Sequence, residues 1–297
     1  YIGLELWTFF AKICVSVTVI EAGPTLLPGV DPELSRVVQR KLEKRGVKIL
    51  LNAKAQNPKD TGNGVEVLLA GSNQADPQLF DRILVTVGRV PNTDGIGLEK
   101  LGLKLDAKGF IPVNSRRQTA LPHVFAIGDV AGQPLLAHKG SKEGIVAAEA
   151  IAGLPTIYDV VAMPAVIFTD PEIATVGLTE AEARAKPGVD VMIGNFPLAA
   201  NGRALSMSAG EGFVKTVGDR KTGRLLGVHI VGAEASNIIS EAAFALELGA
   251  QVEDLALTVH PHPTLGESLM ESAEAALGHA IHIFQKKPAD AGVGRRV

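Results

Sequence analysis

Tyr1-Ile2-Gly3-Leu4-Glu5-Leu6, followed after one helical run by Val15-Ser16-Val17-Thr18-Val19-Ile20-Glu21-Ala22-Gly23, is the stretch on which the fold turns. A glycine at the start of a helix, an apolar strand, and an acidic residue at the strand end follow the order of a βαβ dinucleotide-binding unit from its first turn onward. Gly3 then stands as the last glycine of G-x-G-x-x-G, which puts the first strand and two earlier glycines ahead of residue 1, so the chain reads as starting mid-protein. Glu21 lies at the position from which a carboxylate accepts ribose hydroxyls and repels a 2′-phosphate, favouring NAD over NADP. On spacing alone, one glycine and one glutamate equally fit an ordinary helix–strand turn.

Outward from this unit, Asp31-Pro32-Glu33 opens a helix with an N-cap, a proline at the first position and an acidic first turn. Leu34, Val37, Val38 and Leu42 form its apolar stripe, and Gly46 ends it. Val47–Leu51 and Val65–Leu69 read as strands. A polar stretch from Gly71 to Gln78 leads to Ile83-Leu84-Val85-Thr86-Val87-Gly88-Arg89, an apolar strand stopped by a glycine that lets a ligand approach the backbone. Pro122 to Val130 reads as a short buried strand ending in Gly128-Asp129, which fits a plain turn or a hydroxyl-binding aspartate. Leu135-Leu136-Ala137-His138-Lys139 precedes a small-residue helix expected over Gly144–Ile151. From Met163 onward the pattern is α+β: strands at Ala165–Phe168, Phe213–Val217 and Leu225–Val231, a helix capped by Thr179 and Glu182, and another opening at Asn237.

The string His260-Pro261-His262-Pro263-Thr264-Leu265-Gly266-Glu267 stands near the C-terminus. Each proline disfavours helical backbone in the residue before it, so both imidazoles sit on extended chain before a helix that Gly278 ends. A carboxylate beside a histidine fixes its tautomer and favours a role as proton acceptor. Thr264-x-x-Glu267 fits a helix capping box equally well. His-x-His, with His279 and His282, is also a metal-ligand pattern, although no cysteine or acidic cluster completes it.

The composition bounds the alternatives. With 297 residues, 46% hydrophobic and 4% aromatic, the chain is expected to be globular and long enough for two domains. Its net charge of −3 gives no reason to expect nucleic acid or a membrane surface as partner. A single cysteine, Cys14, excludes an internal disulfide and fits a reducing compartment, so a cytoplasmic location is expected.

Four of these strings, in this order, resemble the dihydrolipoyl dehydrogenases, flavin-dependent members of the pyridine nucleotide–disulfide oxidoreductase family. They are Tyr-Ile-Gly-Leu-Glu with Val-Thr-Val-Ile-Glu, the strand ending at Gly88, the Gly128-Asp129 string, and His-Pro-His-Pro. The resemblance implies an α/β chain in three parts: a Rossmann-type NAD-binding domain over 1–116, the closing segment of an FAD-binding domain over 117–158, and an α+β interface domain over 159–297. It implies that His262 is the base and Glu267 its partner. It places NAD against Gly3, Glu5, Glu21, Ala55 and Gly88, and FAD against Asp129 and the backbone of Ala137, with no metal site. The implied partners are a second copy of the chain and the lipoyl domain of a 2-oxo acid dehydrogenase complex. The implied reaction oxidises protein-bound dihydrolipoamide and reduces NAD through a disulfide beside the flavin. Mercuric and glutathione reductases share the nucleotide motifs, and a non-catalytic nucleotide-binding or dimerisation module is the reading from another class. Two residues depart from the family pattern, Trp7 and Cys14, where small residues are usual. Cys14 alone cannot form the family's Cys-x4-Cys pair, so this chain by itself is expected to be inactive and to retain little FAD.

Overall fold

The computed structural model describes residues 1–71 and 77–285. They form two compact units, one made of Tyr1–Thr86 with the chain from Pro164 onward, the other of Val87–Met163. The first unit thus joins the start of the expected nucleotide domain to the expected interface domain.

Helix α1 (Ile2–Lys12) leads to β1 (Thr18–Ile20), then α2 (Pro32–Lys44) and β2 (Lys48–Leu50), which pairs parallel with β1. This parallel β1–α2–β2 crossover lies one strand further along than the βαβ unit read around α1 and β1. Asp31 caps α2 by accepting the Glu33 N–H, and Pro32 takes the first helical position, where no intrahelical N–H is needed. Leu4, Val17, Val19, Leu34, Val38 and Leu42 share one core with Ile173 and Val231. Trp7 packs at the edge of that core. Its indole carbons come to 3.0 Å from where a Cβ on Gly3 would sit, one turn earlier, so the glycine leaves room for the large ring. Cys14 stands just past the end of α1 with φ 65°, a left-handed conformation that glycine adopts without strain.

Next comes an antiparallel sheet of β3 (Lys54–Asp60), β4 (Val65–Ala70) and β5 (Gln78–Phe80). Strand β3 escapes sequence reading because its side chains are all exposed and polar residues and Pro58 interrupt any alternation. The connection between β4 and β5 lies mostly outside the described residues, as does the tail after Lys286 that the sequence marks as disordered.

The stretch from Ile83 to Met163, most of it in the second unit, departs from expectation most. No strand forms over Ile83–Gly88 or Pro122–Val130. A strand needs a neighbour to take its backbone hydrogen bonds, and no described strand pairs with Ile83–Val87. The Gln118–Phe125 bridge is isolated, and Gly128–Ala131 closes as a 3-10 turn instead. Helix α3 spans Ala137–Ile151, starting seven residues earlier than the small-residue pattern implies. Gly140 allows the early start, because its Cα side faces Gly128 so closely that a Cβ would lie 3.1 Å from the Gly128 Cα.

From Pro164 the chain builds a five-stranded antiparallel sheet in the order β6 (Ala165–Ile167), β7 (Glu172–Gly177), β10 (Leu225–Gly232), β9 (Phe213–Asp219), β8 (Val191–Pro197). Short helices α4 (Glu180–Ala185) and α5 (Gly202–Ser206) sit in its connections, and Thr179 with Glu182 forms a full capping box on α4. Helix α6 (Ala235–Glu247) covers β7 and β10. After α7 (Val252–Leu257), helix α8 (Glu267–Leu277) packs on β8 and β9. Gly194 permits that contact, since a Cβ there would strike the α8 backbone at Ser272 and Ala276. No described helix is long and apolar enough to cross a membrane.

Candidate active site

The two histidines of His-Pro-His-Pro have opposite environments. His260 is nearly buried; Nδ1 meets the Thr258 carbonyl at 2.9 Å and Nε2 meets Glu241 Oε1 at 2.9 Å. Both nitrogens are committed, so this ring anchors the loop. His262 is 76% exposed, with Nδ1 2.8 Å from Glu267 Oε1. A carboxylate accepts a hydrogen bond from the nitrogen it faces, so Nδ1 carries the hydrogen and the lone pair of neutral His262 is at Nε2. Among the described residues nothing hydrogen-bonds Nε2.

Glu267 partners the histidine but does not form the capping box, because α8 begins at Glu267 itself with Gly266 as its N-cap. Its Oε1 takes the imidazole while Oε2 accepts the Thr264 N–H at 2.7 Å. The reciprocal half of a capping box is missing, because the Thr264 hydroxyl donates to the Pro261 carbonyl. Burial pushes the Glu267 carboxyl up, but the Thr264 N–H and the His262 ring, with the charge of His282 adding, hold it below the ordinary glutamate range. It is therefore an anion at neutral pH, suited to orient and steady an imidazolium. Asn201 ties the loop down through the Thr264 carbonyl at 3.0 Å. His282 and His279 each meet a different glutamate of α8, Glu271 and Glu274. Among the described residues no group of three or more His, Cys, Asp or Glu side chains gathers to hold a metal ion.

The nucleotide candidates of the first unit lie along α1, β1 and β3. Gly3 is buried in the first turn of α1, where a Cβ would come within 2.5 Å of Thr86 Oγ1. Glu21 follows the last residue of β1 and accepts the Gly23 N–H at 2.7 Å through Oε1, which steadies the strand end. Glu5 accepts the Phe168 N–H at 2.8 Å, tying α1 to the start of the interface sheet. Ala55 is exposed on β3 opposite Leu69.

In the second unit Gly88 has φ 136° and open space where a side chain would project. The next residue, Arg89, pairs with Asp129 at 3.0 Å. Ala137 is the first residue of α3, whose N-terminus has no side-chain cap. The backbone N–H groups of its first turn and the helix dipole suit an electron-rich ligand edge. Sequence reading assigns no role to Arg89, Lys139, Glu143 or Arg117, which surround the Asp129 turn. The available signal was the opposite charge of Lys139 and Glu143, one helical turn apart in a run of small residues.

The family description "Pyridine nucleotide-disulphide oxidoreductase" matches residues 1–144, and its "dimerisation domain" matches residues 163–273. The chain belongs to this family. A dihydrolipoyl dehydrogenase of Thermus scotoductus is 49% identical over 287 residues, covering 96% of this chain and 62% of that protein. One of Geobacillus stearothermophilus is 46% identical, with 96% and 61% covered. This pyridine nucleotide-disulphide oxidoreductase chain thus spans about three fifths of the length of such relatives. Among solved structures it resembles LpdA from Mycobacterium tuberculosis, with a TM-score of 0.83, 31% identity and 92% of this chain and 59% of that one covered. It also resembles the HOCl-induced flavoprotein disulfide reductase RclA from Escherichia coli, with a TM-score of 0.86, 27% identity and 92% and 62% covered.

The residues present fit the groups that such a family binds. A buried glycine at the start of α1 and an acidic strand end suit a dinucleotide. A Gly-Asp turn facing side-chain-free Gly140, beside an uncapped helix start, suits a polyhydroxylated flavin chain.

Proposed function

We propose that the chain is the nucleotide-binding and interface portion of a dihydrolipoyl dehydrogenase, oxidising protein-bound dihydrolipoamide with reduction of NAD. In this reading 1–116 binds NAD, 117–158 completes an FAD-binding domain, and 159–297 forms a two-fold homodimer interface. The observation that carries it is the His262–Glu267 pair: an exposed imidazole, oriented by a half-buried anion, with its accepting nitrogen unengaged among the described residues.

The mechanism follows from that geometry. Nε2 of His262 takes the proton of a substrate thiol, and the thiolate so formed is the reactive nucleophile. Charge then develops on the ring next to the Glu267 carboxylate, which stabilises the imidazolium and favours thiolate over thiol. Bound FAD and NAD supply the electron transfer itself, and the protein positions and tunes them. Gly3 allows the helix to approach the strand, Glu21 receives ribose hydroxyls, and Gly88 and Ala55 line the nucleotide. Asp129 accepts ribityl hydroxyls, and the backbone at Ala137 faces the flavin ring. The partners are a second copy of the chain and a lipoyl domain, in the cytoplasm.

The test is His262→Gln in the longest product of this gene. The value of kcat/KM for dihydrolipoamide should fall by about 10²–10⁴-fold, the usual worth of a general base, with NAD affinity unchanged. Full turnover in the variant would sink the reading.

A further inference from the structure

Glu143 and Lys139 are charged side chains with almost no access to solvent, at 0% and 4% exposure. An isolated charge at such depth is costly, so their partners report what they are there to hold. Glu143 Oε2 accepts the N–H of Gly128 at 2.7 Å, and Oε1 accepts from Arg117 Nη1 at 2.8 Å. Lys139 Nζ donates to the carbonyls of Gly128 at 2.9 Å and Gly132 at 2.8 Å, and lies 3.3 Å from Glu143. Arg117 is itself braced, its guanidinium 4.4 Å from the centre of the Tyr158 ring. The residues bonded are thus the two ends of the turn that carries Asp129, and the backbone atoms of Gly128 are gripped from both sides.

We infer that Lys139 and Glu143 are positioning residues: they lock the Gly128–Ala131 turn to the first turns of α3, fixing the Asp129 carboxylate relative to the open helix N-terminus at Ala137. The inference rests on the flavin reading of Asp129 and Ala137 given above, and adds residues to it. Two separate ligand-facing features, a carboxylate and a row of backbone N–H groups, become one rigid receptor because the same helix supplies the clamp and the amides. Rigidity matters here because a polyol chain held at one end and a ring edge held at the other tolerate little relative displacement. The close approach of Gly140 to Gly128 completes the fit, since a side chain at residue 140 would force the turn away. Arg89 pairs with Asp129 at 3.0 Å and makes none of the clamp's bonds to Gly128 or Gly132.

The test has two readouts. Hydrogen exchange in this chain reports the clamp directly through the Gly128 amide, and fluorescence titration with free FAD of the longest product of the gene reports its purpose. In Lys139→Met, exchange over residues 128–132 should speed up and FAD affinity should fall, each by about tenfold, the effect of losing a buried charge-assisted hydrogen bond. Exchange in β9 and β10 should not change. Should Lys139→Met fail to fold, Glu143→Gln, which keeps the shape and loses the charge, carries the same comparison. Faster exchange with FAD affinity within twofold of wild type would overturn the inference, leaving a purely structural clamp; so would unchanged exchange. A wild-type protein that takes up no FAD would instead defeat the functional reading, and the positioning role with it, while the exchange data would still show whether the turn is gripped.

Discussion

Strand β10 and the stretch Ile83–Gly88 are close in composition: Leu225-Leu226-Gly227-Val228-His229-Ile230-Val231-Gly232 against Ile83-Leu84-Val85-Thr86-Val87-Gly88. Strand β10 lies in the middle of the interface sheet, paired with β7 on one side and β9 on the other, and Val228, Ile230 and Val231 are fully buried. Ile83–Val87 pairs with no described strand, and Val87 is 94% exposed. Hydrophobic β-branched content is thus permission for a strand, not a cause of one. What differs is whether other backbone stands alongside to complete the ladder, and whether a helix such as α6 or α8 covers the face.

That contrast can be pressed with substitutions. The largest effect should come from truncating the helix that seals the sheet. Leu269→Ala on α8, fully buried, should destabilise the chain by about 2–5 kcal/mol through lost burial and a residual cavity. Val87→Thr should change stability by no more than about 0.5 kcal/mol, as exposed substitutions do. Urea midpoints for the two variants measure the difference directly, and equal effects would erase the distinction between the regions.

Acid should act next, and through the sheet. Lys215 on β9 is 2% exposed and meets Asp31 at 2.9 Å, Glu33 at 2.5 Å and Glu180 at 3.3 Å. Burial alone would raise Asp31, yet the bonds from Lys215 and the Glu33 N–H hold it below the ordinary aspartate value of 3.8. Burial likewise opposes the shift at Glu180, which Arg184 and Lys215 bring below the ordinary 4.5. Groups with depressed folded values bind protons more readily when unfolded. Their stabilisation is therefore complete above about pH 5 and drains away as pH falls below 4.5 and through the folded values. Unfolding midpoints should be level in this respect from pH 5 to 7 and drop steeply towards pH 3, with exchange in β9 rising early.

The smallest effect concerns the end of α1. Cys14→Gly should raise stability by about 0.5–1 kcal/mol, because glycine occupies the left-handed position without the steric cost that Cys14 bears at φ 65°. A thermal melt of the variant shifted upward by a few degrees would confirm it; a drop would mean that the thiol makes a compensating contact.

Where legibility held, the signals were local. The α2 cap at Asp31-Pro32-Glu33, the glycine stop at Gly278 and the Thr179–Glu182 capping box all appear where the sequence puts them, since each is decided by atoms a few residues apart. The His262–Glu267 contact was legible for the same reason, being five residues long. Helix α3 was misjudged because its first turn, Ala137-His138-Lys139-Gly140, carries no cap and no apolar stripe; the turn at Gly128, outside the helix, packs on it. Strand β8 was missed because its pairing with β9 and its contact with α8 define it, and Gly194 and Asn195 blur the alternation.

By itself the sequence determined what short-range chemistry can specify: a βαβ nucleotide unit, a Gly-Asp turn, an imidazole set on proline-stiffened chain beside a carboxylate, and one cysteine only. The tertiary structure decided which of the two histidines is free, since His260 is consumed by Glu241 on another helix while His262 stays open. It also decided which apolar runs become strands, and which charges are buried to grip the Asp129 turn. The reason is the same in each case: hydrogen-bond satisfaction and burial depend on partners that the chain brings from a distance, and no local pattern records them.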